Sequence, residues 1–154
     1  MKLILLRHAK SDWSDPAKDG RDRPLNERGR AAAEKIGSWL KSRHYLPDLV
    51  LCSDALRTRQ TLSSLDLPET ATEFRADLYE AEAATILEIA TGQNAECVLV
   101  VGHNPGIGTA AADACATPPS HPDFLRYPTG ACTVIDLADG LPGRCLDFTT
   151  PRAP

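Results

Sequence analysis

An arginine and a histidine, Arg7-His8, stand where the first apolar run of the chain stops. Met1-Lys2-Leu3-Ile4-Leu5-Leu6 reads as a short buried strand, and Ala9-Lys10-Ser11 follow the pair at once. In an α/β domain ligands bind at the carboxyl ends of the strands. The pair therefore implies an anion site with a nucleophile or a proton-transfer group beside it. Two further runs end in the same manner. Cys97-Val98-Leu99-Val100-Val101-Gly102 leads into His103-Asn104-Pro105-Gly106, and Leu49-Val50-Leu51-Cys52 leads into Ser53-Asp54 and then Arg57. Three such strand ends are expected to converge on one pocket that holds Arg7, His8, Arg57 and His103.

The elements between these runs alternate with them. Residues 11–24 are polar and turn-rich, with Ser14-Asp15-Pro16, Asp19-Gly20 and Arg23-Pro24, and form a surface loop beside the pocket. Asn26 is placed to cap a helix whose apolar residues Ala32, Ala33, Ile36, Trp39 and Leu40 recur at helical spacing. That helix ends near Arg43 or His44. Asp54 is expected to cap a second helix through Leu62, and a short strand falls near Phe74. A third helix fits 82–91, with Ala83, Ile86, Leu87 and Ala90 inward and Gly92 as its stop. Pro105 suits the first turn of a fourth helix, from about Ile107 to Cys115. Residues 131–137 and 144–149 read as two strands joined by the Asp139-Gly140 turn, an antiparallel hairpin with the last strand at an edge. Strand–helix alternation predicts an α/β fold: a three-layer α/β/α sandwich on a mostly parallel sheet with an antiparallel edge. Residues 1–154 are read as a single domain.

Bulk properties restrict the function. The chain has 154 residues, 42% of them hydrophobic, enough for one sizeable core. Seventeen Lys and Arg against twenty-one Asp and Glu give a net charge of −4, which excludes a broad nucleic-acid surface but leaves room for a local cationic pocket. The five cysteines, Cys52, Cys97, Cys115, Cys132 and Cys145, form no Cys-x-x-Cys pair and read as buried thiols of a reducing compartment. The first apolar run is too short for a secretory leader, and none approaches the ~20 residues of a membrane span. The expectation is a cytoplasmic protein with no membrane contact, and a monomer.

Leu6-Arg7-His8-Ala9-Lys10-Ser11 resembles the signature of the histidine phosphatase, or phosphoglycerate-mutase-like, superfamily. Arg23-Pro24-Leu25-Asn26-Glu27-Arg28-Gly29-Arg30 is similar to the segment that opens that family's first helix. Ser53 through Thr61 resembles its second arginine motif. Leu78-Tyr79-Glu80 and Val101-Gly102-His103-Asn104-Pro105 match the remaining landmarks in order, so the resemblance covers about residues 1–135. The short length, Ala-Lys-Ser after His8, and His-Asn-Pro later point to its small SixA-like branch. That branch removes phosphate from phosphohistidine on histidine-containing phosphotransfer domains.

The resemblance implies a division of labour that phosphoryl-transfer chemistry supports. Transfer spreads negative charge over the equatorial oxygens, so catalysis is mostly positioning and cationic hydrogen bonding. Arg7 and Arg57 each offer a planar donor fork, and His103 offers a further donor. His8 is the nucleophile and forms a phosphohistidine that water hydrolyses. Neighbouring guanidinium groups keep it neutral. The arginines neutralise the phosphate, so this reading calls for no metal and no other cofactor. Glu80 falls near the family's usual proton donor. An alkyl phosphate needs that acid more than a phosphohistidine does, because an alkoxide is a much poorer leaving group than a protonated imidazole.

Plainer readings stand beside several of these. Lys10, Ser11 and Trp13 either touch substrate or belong to a solvated loop with its tryptophan packed down. Asn104 either binds substrate or orients the backbone around the pocket. Thr129-Gly130 either lends backbone donors or is a plain turn. Arg59 is a surface residue, Asp12 and Asp15 are loop polarity rather than metal ligands, and His44 and His121 have no role. Two other functions fit the same residues: a phosphatase of a small phosphorylated metabolite, and a non-catalytic module that binds phosphorylated partners.

Overall fold

The computed structural model describes residues 1–15 and 20–154. Pro16 and Asp19, two of the turn residues of the first polar loop, lie outside the described residues. Six strands form one sheet: β1 (Lys2–Arg7), β2 (Leu49–Ser53), β3 (Ala71–Arg75), β4 (Cys97–Gly102), β5 (Cys132–Asp136) and β6 (Arg144–Thr149). Their order across the sheet is β3-β2-β4-β1-β5-β6. The first four are mutually parallel, while β5 runs antiparallel to β1 and to β6. This is the mostly parallel sheet with an antiparallel edge that the alternation predicts.

Both faces of the central strands are covered, and for that reason they are continuous apolar runs rather than alternating ones. Helices α1 (Glu27–Ser42) and α2 (Leu56–Leu65) cover one face. There Ile36, Leu40 and Leu65 pack on Ile4, Leu6, Leu99 and Val101. Helices α3 (Ala83–Thr91) and α4 (Gly106–Ala114) cover the other, where Ile86, Ala90, Ile107 and Ala111 meet Leu3, Leu5, Val98 and Val100. Each of these buried leucine, isoleucine and valine side chains contributes about 1.5–3 kcal/mol relative to an exposed one, and each alanine less. No helix among the described residues is long and apolar enough to cross a membrane.

This arrangement also opens the site. β1 and β4 are neighbours with register Arg7 opposite Gly102, yet the helix after β1 lies on one face and the helix after β4 on the other. The two connections diverge, and the crevice between them is where open α/β sheets bind ligands.

Local signals account for the helix ends with two differences. Asn26 caps α1, its side chain accepting from Gly29 N at 2.8 Å, and the helix closes at Arg43. Asp54 does not cap α2. Ala55 occupies the cap position without a side-chain bond, and Asp54 turns outward to pair with Arg21. The start of α2 is held instead by Thr58, whose hydroxyl reaches the carbonyls of Ser53 and Ala55 at 2.8 Å each. Gly92 does close α3, but in the right-handed conformation at φ −77°.

Candidate active site

Each strand end delivers its polar residues to one cleft of about 340 Å³, lined by Arg7, His8, Lys10, Ser11, Trp13, Arg23, Arg57, Glu80, His103, Asn104 and Thr129. His8 leaves β1 with its backbone N–H on the Gly102 carbonyl at 3.0 Å. The same turn is fixed from the far side by Gly130, whose N–H lies 3.1 Å from Arg7 O and 3.0 Å from His8 O. Gly130 sits at φ +78°, a conformation that disfavours any side chain. The Thr129-Gly130 turn thus lends a donor, but to the backbone of the turn and not to the cleft.

The imidazole of His8 is held by its neighbour. Nδ1 lies 2.7 Å from the Ala9 carbonyl, which only accepts, so Nδ1 carries the proton and Nε2 keeps its lone pair. Ala9 is itself tied to α2: its N–H donates to Thr61 Oγ1 at 3.0 Å, and that hydroxyl donates to Arg57 O at 2.7 Å. Arg57 Nε donates to the free His8 Nε2 at 3.4 Å. Burial pushes the His8 pKa down from 6.5 to about 4; the Ala9 bond opposes this, and Arg57, Arg7 and Arg23 add to it.

His103 holds the opposite tautomer. Its Nδ1 accepts from Arg57 Nη2 at 3.1 Å, which leaves Nε2–H to donate to Ser53 Oγ at 2.8 Å. Burial, then Arg57, pushes its pKa down to about 3. The two rings stand 5.3 Å apart, and the edge of Tyr79 packs on His103 at 5.2 Å. As it stands, His103 has no donor free for a phosphate. To offer one it must take up a proton at Nδ1 or turn its Nε2–H away from Ser53.

Arg7 reaches across to the Tyr127 carbonyl through Nη1 at 3.1 Å, while its buried Nε has no partner. An orphaned guanidinium N–H beside a cleft is a donor waiting for an acceptor. Arg57 also donates to the Gly20 carbonyl, and its Nη2 lies 3.9 Å from Glu80 Oε1. Glu80 sits at φ +50° with its side chain 61% exposed, so it stands at the rim of the cleft.

The remaining expected contacts divide. Lys10 is exposed at the mouth, and buried Ser11 accepts from Arg23 Nε at 3.3 Å. Trp13 is not packed down: it is 73% exposed with the Arg23 guanidinium 3.5 Å above its ring. Asn104 spends its amide on backbone, donating to Tyr127 O at 3.0 Å and accepting from Gly108 N at 3.1 Å. Sequence reasoning missed Arg23 and Ser53 as site residues. Their one signal was membership of the segments that carry the resemblance. Arg59 lies outside, stacked 4.0 Å over Phe74. Among the described residues no three of His, Cys, Asp and Glu come together as a metal-holding group. The charged lining of the cleft is Arg7, Lys10, Arg23 and Arg57 against Glu80.

A family model described as the histidine phosphatase superfamily, branch 1, matches residues 3–83. An uncharacterised chloroplastic protein of Arabidopsis thaliana is 35% identical over 125 residues, covering 72% of this chain. The chain spans only 57% of that relative's length. The phosphohistidine phosphatase SixA of Escherichia coli K12 is 31% identical over 129 residues, 77% of this chain and 78% of that one. A solved structure of the protein histidine phosphatase SixA in complex with tungstate aligns with a TM-score of 0.80 at 26% identity, over 99% of this chain and 98% of that one.

Proposed function

The chain belongs to the histidine phosphatase superfamily, and we propose that it hydrolyses phosphohistidine on a protein, without a metal, through a phosphohistidine formed on His8. The observation that carries this reading is the state of His8. Its Nδ1 proton is committed to Ala9, and its Nε2 lone pair faces a cleft lined by Arg7, Arg23 and Arg57. A phosphate seated there meets the orphaned Nε of Arg7 and the fork of Arg57, which turns from the histidines to the equatorial oxygens. His8 Nε2 attacks phosphorus as the P–N bond of the substrate breaks; the substrate imidazole, protonated from solvent on its other ring nitrogen, keeps the electron pair of that bond and leaves neutral. Water then attacks phospho-His8, inorganic phosphate departs, and His8 regains its lone pair.

Guanidinium groups supply the charge that a divalent cation supplies in other phosphoryl transfers, which is why the reading needs none. Lys10 and Ser11 extend the anion site at its mouth, and Asn104 shapes it by holding the Tyr127 carbonyl near Arg7. The exposed Glu80 favours a P–N substrate, whose leaving group asks little of an acid. In this reading residues 1–154 act as one domain, a cytoplasmic monomer that meets its protein partner, such as a phosphotransfer domain, at an open cleft.

The test compares kcat/KM for a phosphohistidine protein with that for a simple alkyl phosphate, in buffer containing a chelator, for the native chain and for His8→Ala. We expect strong preference for the phosphohistidine protein and no turnover by folded His8→Ala. Retained turnover in that variant removes His8 as nucleophile. An equal or better alkyl ester moves the substrate to small phosphorylated metabolites.

A further inference from the structure

A second depression begins where the cleft ends. This groove, of about 620 Å³, lies between the first turns of α1 and the segments around residues 126 and 152, and shares the edge formed by Lys10 with the cleft. Its charged lining is Lys10, Arg28, Lys35, Arg126 and Arg152 against one carboxylate, Asp123. Asp123 is taken by Arg126 at 3.5 Å. The side chains of Lys10, Arg28, Lys35 and Arg152 make no hydrogen bond or ion pair among the described residues, and all four residues are exposed. In a chain with a net charge of −4, so many unanswered cations on one face are not explained by folding, which gains nothing from like charges held together.

We infer that this groove is a docking surface for an acidic face of the phosphoprotein substrate, seated so that its phosphohistidine enters the cleft past Lys10. The inference rests on the functional reading above. Three features argue for a protein rather than a second anionic group of a small molecule. Arg28 and Lys35 are two turns apart on α1, about 10 Å along the axis, and Lys10 lies beyond them at the site, a spread suited to a row of carboxylates. The groove is larger than the cleft that holds the reacting group. A basic strip beside the reactive centre of a chain with a net charge of −4 draws an acidic partner to that strip and so orients the encounter.

The test uses Arg28→Glu/Lys35→Glu, with Arg28→Gln/Lys35→Gln as the milder pair; neither residue lines the catalytic cleft. Two probes are compared: phosphoramidate, and a phosphotransfer domain phosphorylated on histidine. For the charge-reversed pair, kcat/KM on the protein probe should fall about tenfold at low salt, since rim charges act chiefly on association. Turnover of phosphoramidate should be unchanged, and the glutamine pair should fall in between. The advantage of the native chain on the protein probe should shrink as salt approaches about 0.15 M, where the screening length is about 8 Å. Unchanged protein turnover in the charge-reversed pair overturns the groove while leaving the functional reading intact. So does an equal loss on phosphoramidate. A native chain that hydrolyses neither probe overturns the reading itself, and the groove with it.

Discussion

Arg57 donates from Nε to Nε2 of His8 across 3.4 Å. On the proposed reading, the cation that receives the phosphate thus occupies the lone pair that attacks it. This contact is compatible only with a neutral imidazole, and it presets the tautomer by leaving Nδ1–H to Ala9. Phosphate binding must break it, exchanging one long bond to nitrogen for shorter charge-assisted bonds to oxygen. In that reading the nucleophile is released by the arrival of its substrate.

Burial of the two imidazoles, more than this contact, sets the pH response. Burial and the nearby arginines hold the pKa of His8 at about 4 and that of His103 at about 3. In the unfolded chain both titrate near 6.5. As pH falls below about 6.5 the unfolded state takes up protons that the folded state refuses, so stability is full above that pH and declines as pH drops toward the folded values. Nitrogen-15 spectra of the native protein should show both imidazoles neutral from about pH 8 to about pH 5. The thermal midpoint should fall across the lower part of that range, and less so in His8→Ala. A His8 signal that titrates near 6.5 contradicts the geometry.

On the proposed reading Ser53 acts on the reaction through His103. Its hydroxyl is fully buried and accepts from Nε2–H of that ring at 2.8 Å. Ser53→Ala leaves this N–H without its partner, at a cost of about 1–3 kcal/mol for a buried group. Nδ1 still accepts from Arg57 and so cannot take the proton, and the Nε2–H end of the ring is left with nothing to fix it. Expected are a modest loss of stability, a fall of about tenfold in kcat/KM, and a shift of the His103 Nε2 resonance in nitrogen-15 spectra with the tautomer unchanged. A variant with native spectra and native activity would show that the bond positions nothing.

These residues differ in how far the chain announces them. Arg7, His8 and His103 are legible because each interrupts an apolar run buried on both faces of the sheet, where a polar residue marks the strand end. The sandwich and its antiparallel edge follow from the same runs and from the Asp139-Gly140 turn. Ser53 is silent, because what matters is its bond to a residue fifty positions away, and only the pairing of β2 with β4 brings the two together. Arg23 is silent for another reason: in a turn-rich stretch a cation reads as solvated. Asp54 misleads, since a carboxylate before a helix looks like a cap until the backbone places Ala55 there. Asn104 shows that adjacency to a site residue does not settle where an amide points.

Gly29 lies in the first turn of α1 against the Lys10 carbonyl, and a Cβ at this position would collide with that backbone oxygen. The contact presses the helix onto the loop that follows His8. Asn26 N–H reinforces it by donating to the same carbonyl at 3.1 Å. In Gly29→Ala the backbone must move, because neither partner is a flexible side-chain end. Overpacking of this kind costs about 1–3 kcal/mol. Displacement of the Lys10-Ser11 segment should raise KM more than it lowers kcat. Chemical denaturation and steady-state kinetics on the same sample check both, and a variant of native stability would mean that the helix start yields freely.

The placing of Glu80 bears on which leaving groups the proposed site expels. Its carboxylate is mostly exposed and 3.9 Å from Arg57 Nη2, at the rim and not under the phosphate. A carboxylic acid that protonates a leaving alkoxide contributes about 10²–10⁴-fold, and only from hydrogen-bonding reach of the leaving oxygen. For phosphohistidine the departing imidazole is far less basic than an alkoxide, and little is asked of such an acid. Glu80→Gln is therefore expected to leave kcat/KM for a phosphohistidine protein within about threefold of native, and to lower an already poor alkyl-ester activity by no more than about tenfold. The carboxylate then serves mainly to hold Arg57 in place. A loss of about 100-fold confined to the alkyl ester would instead place Glu80 on the leaving oxygen as a general acid, and would assign the site to phosphate monoesters.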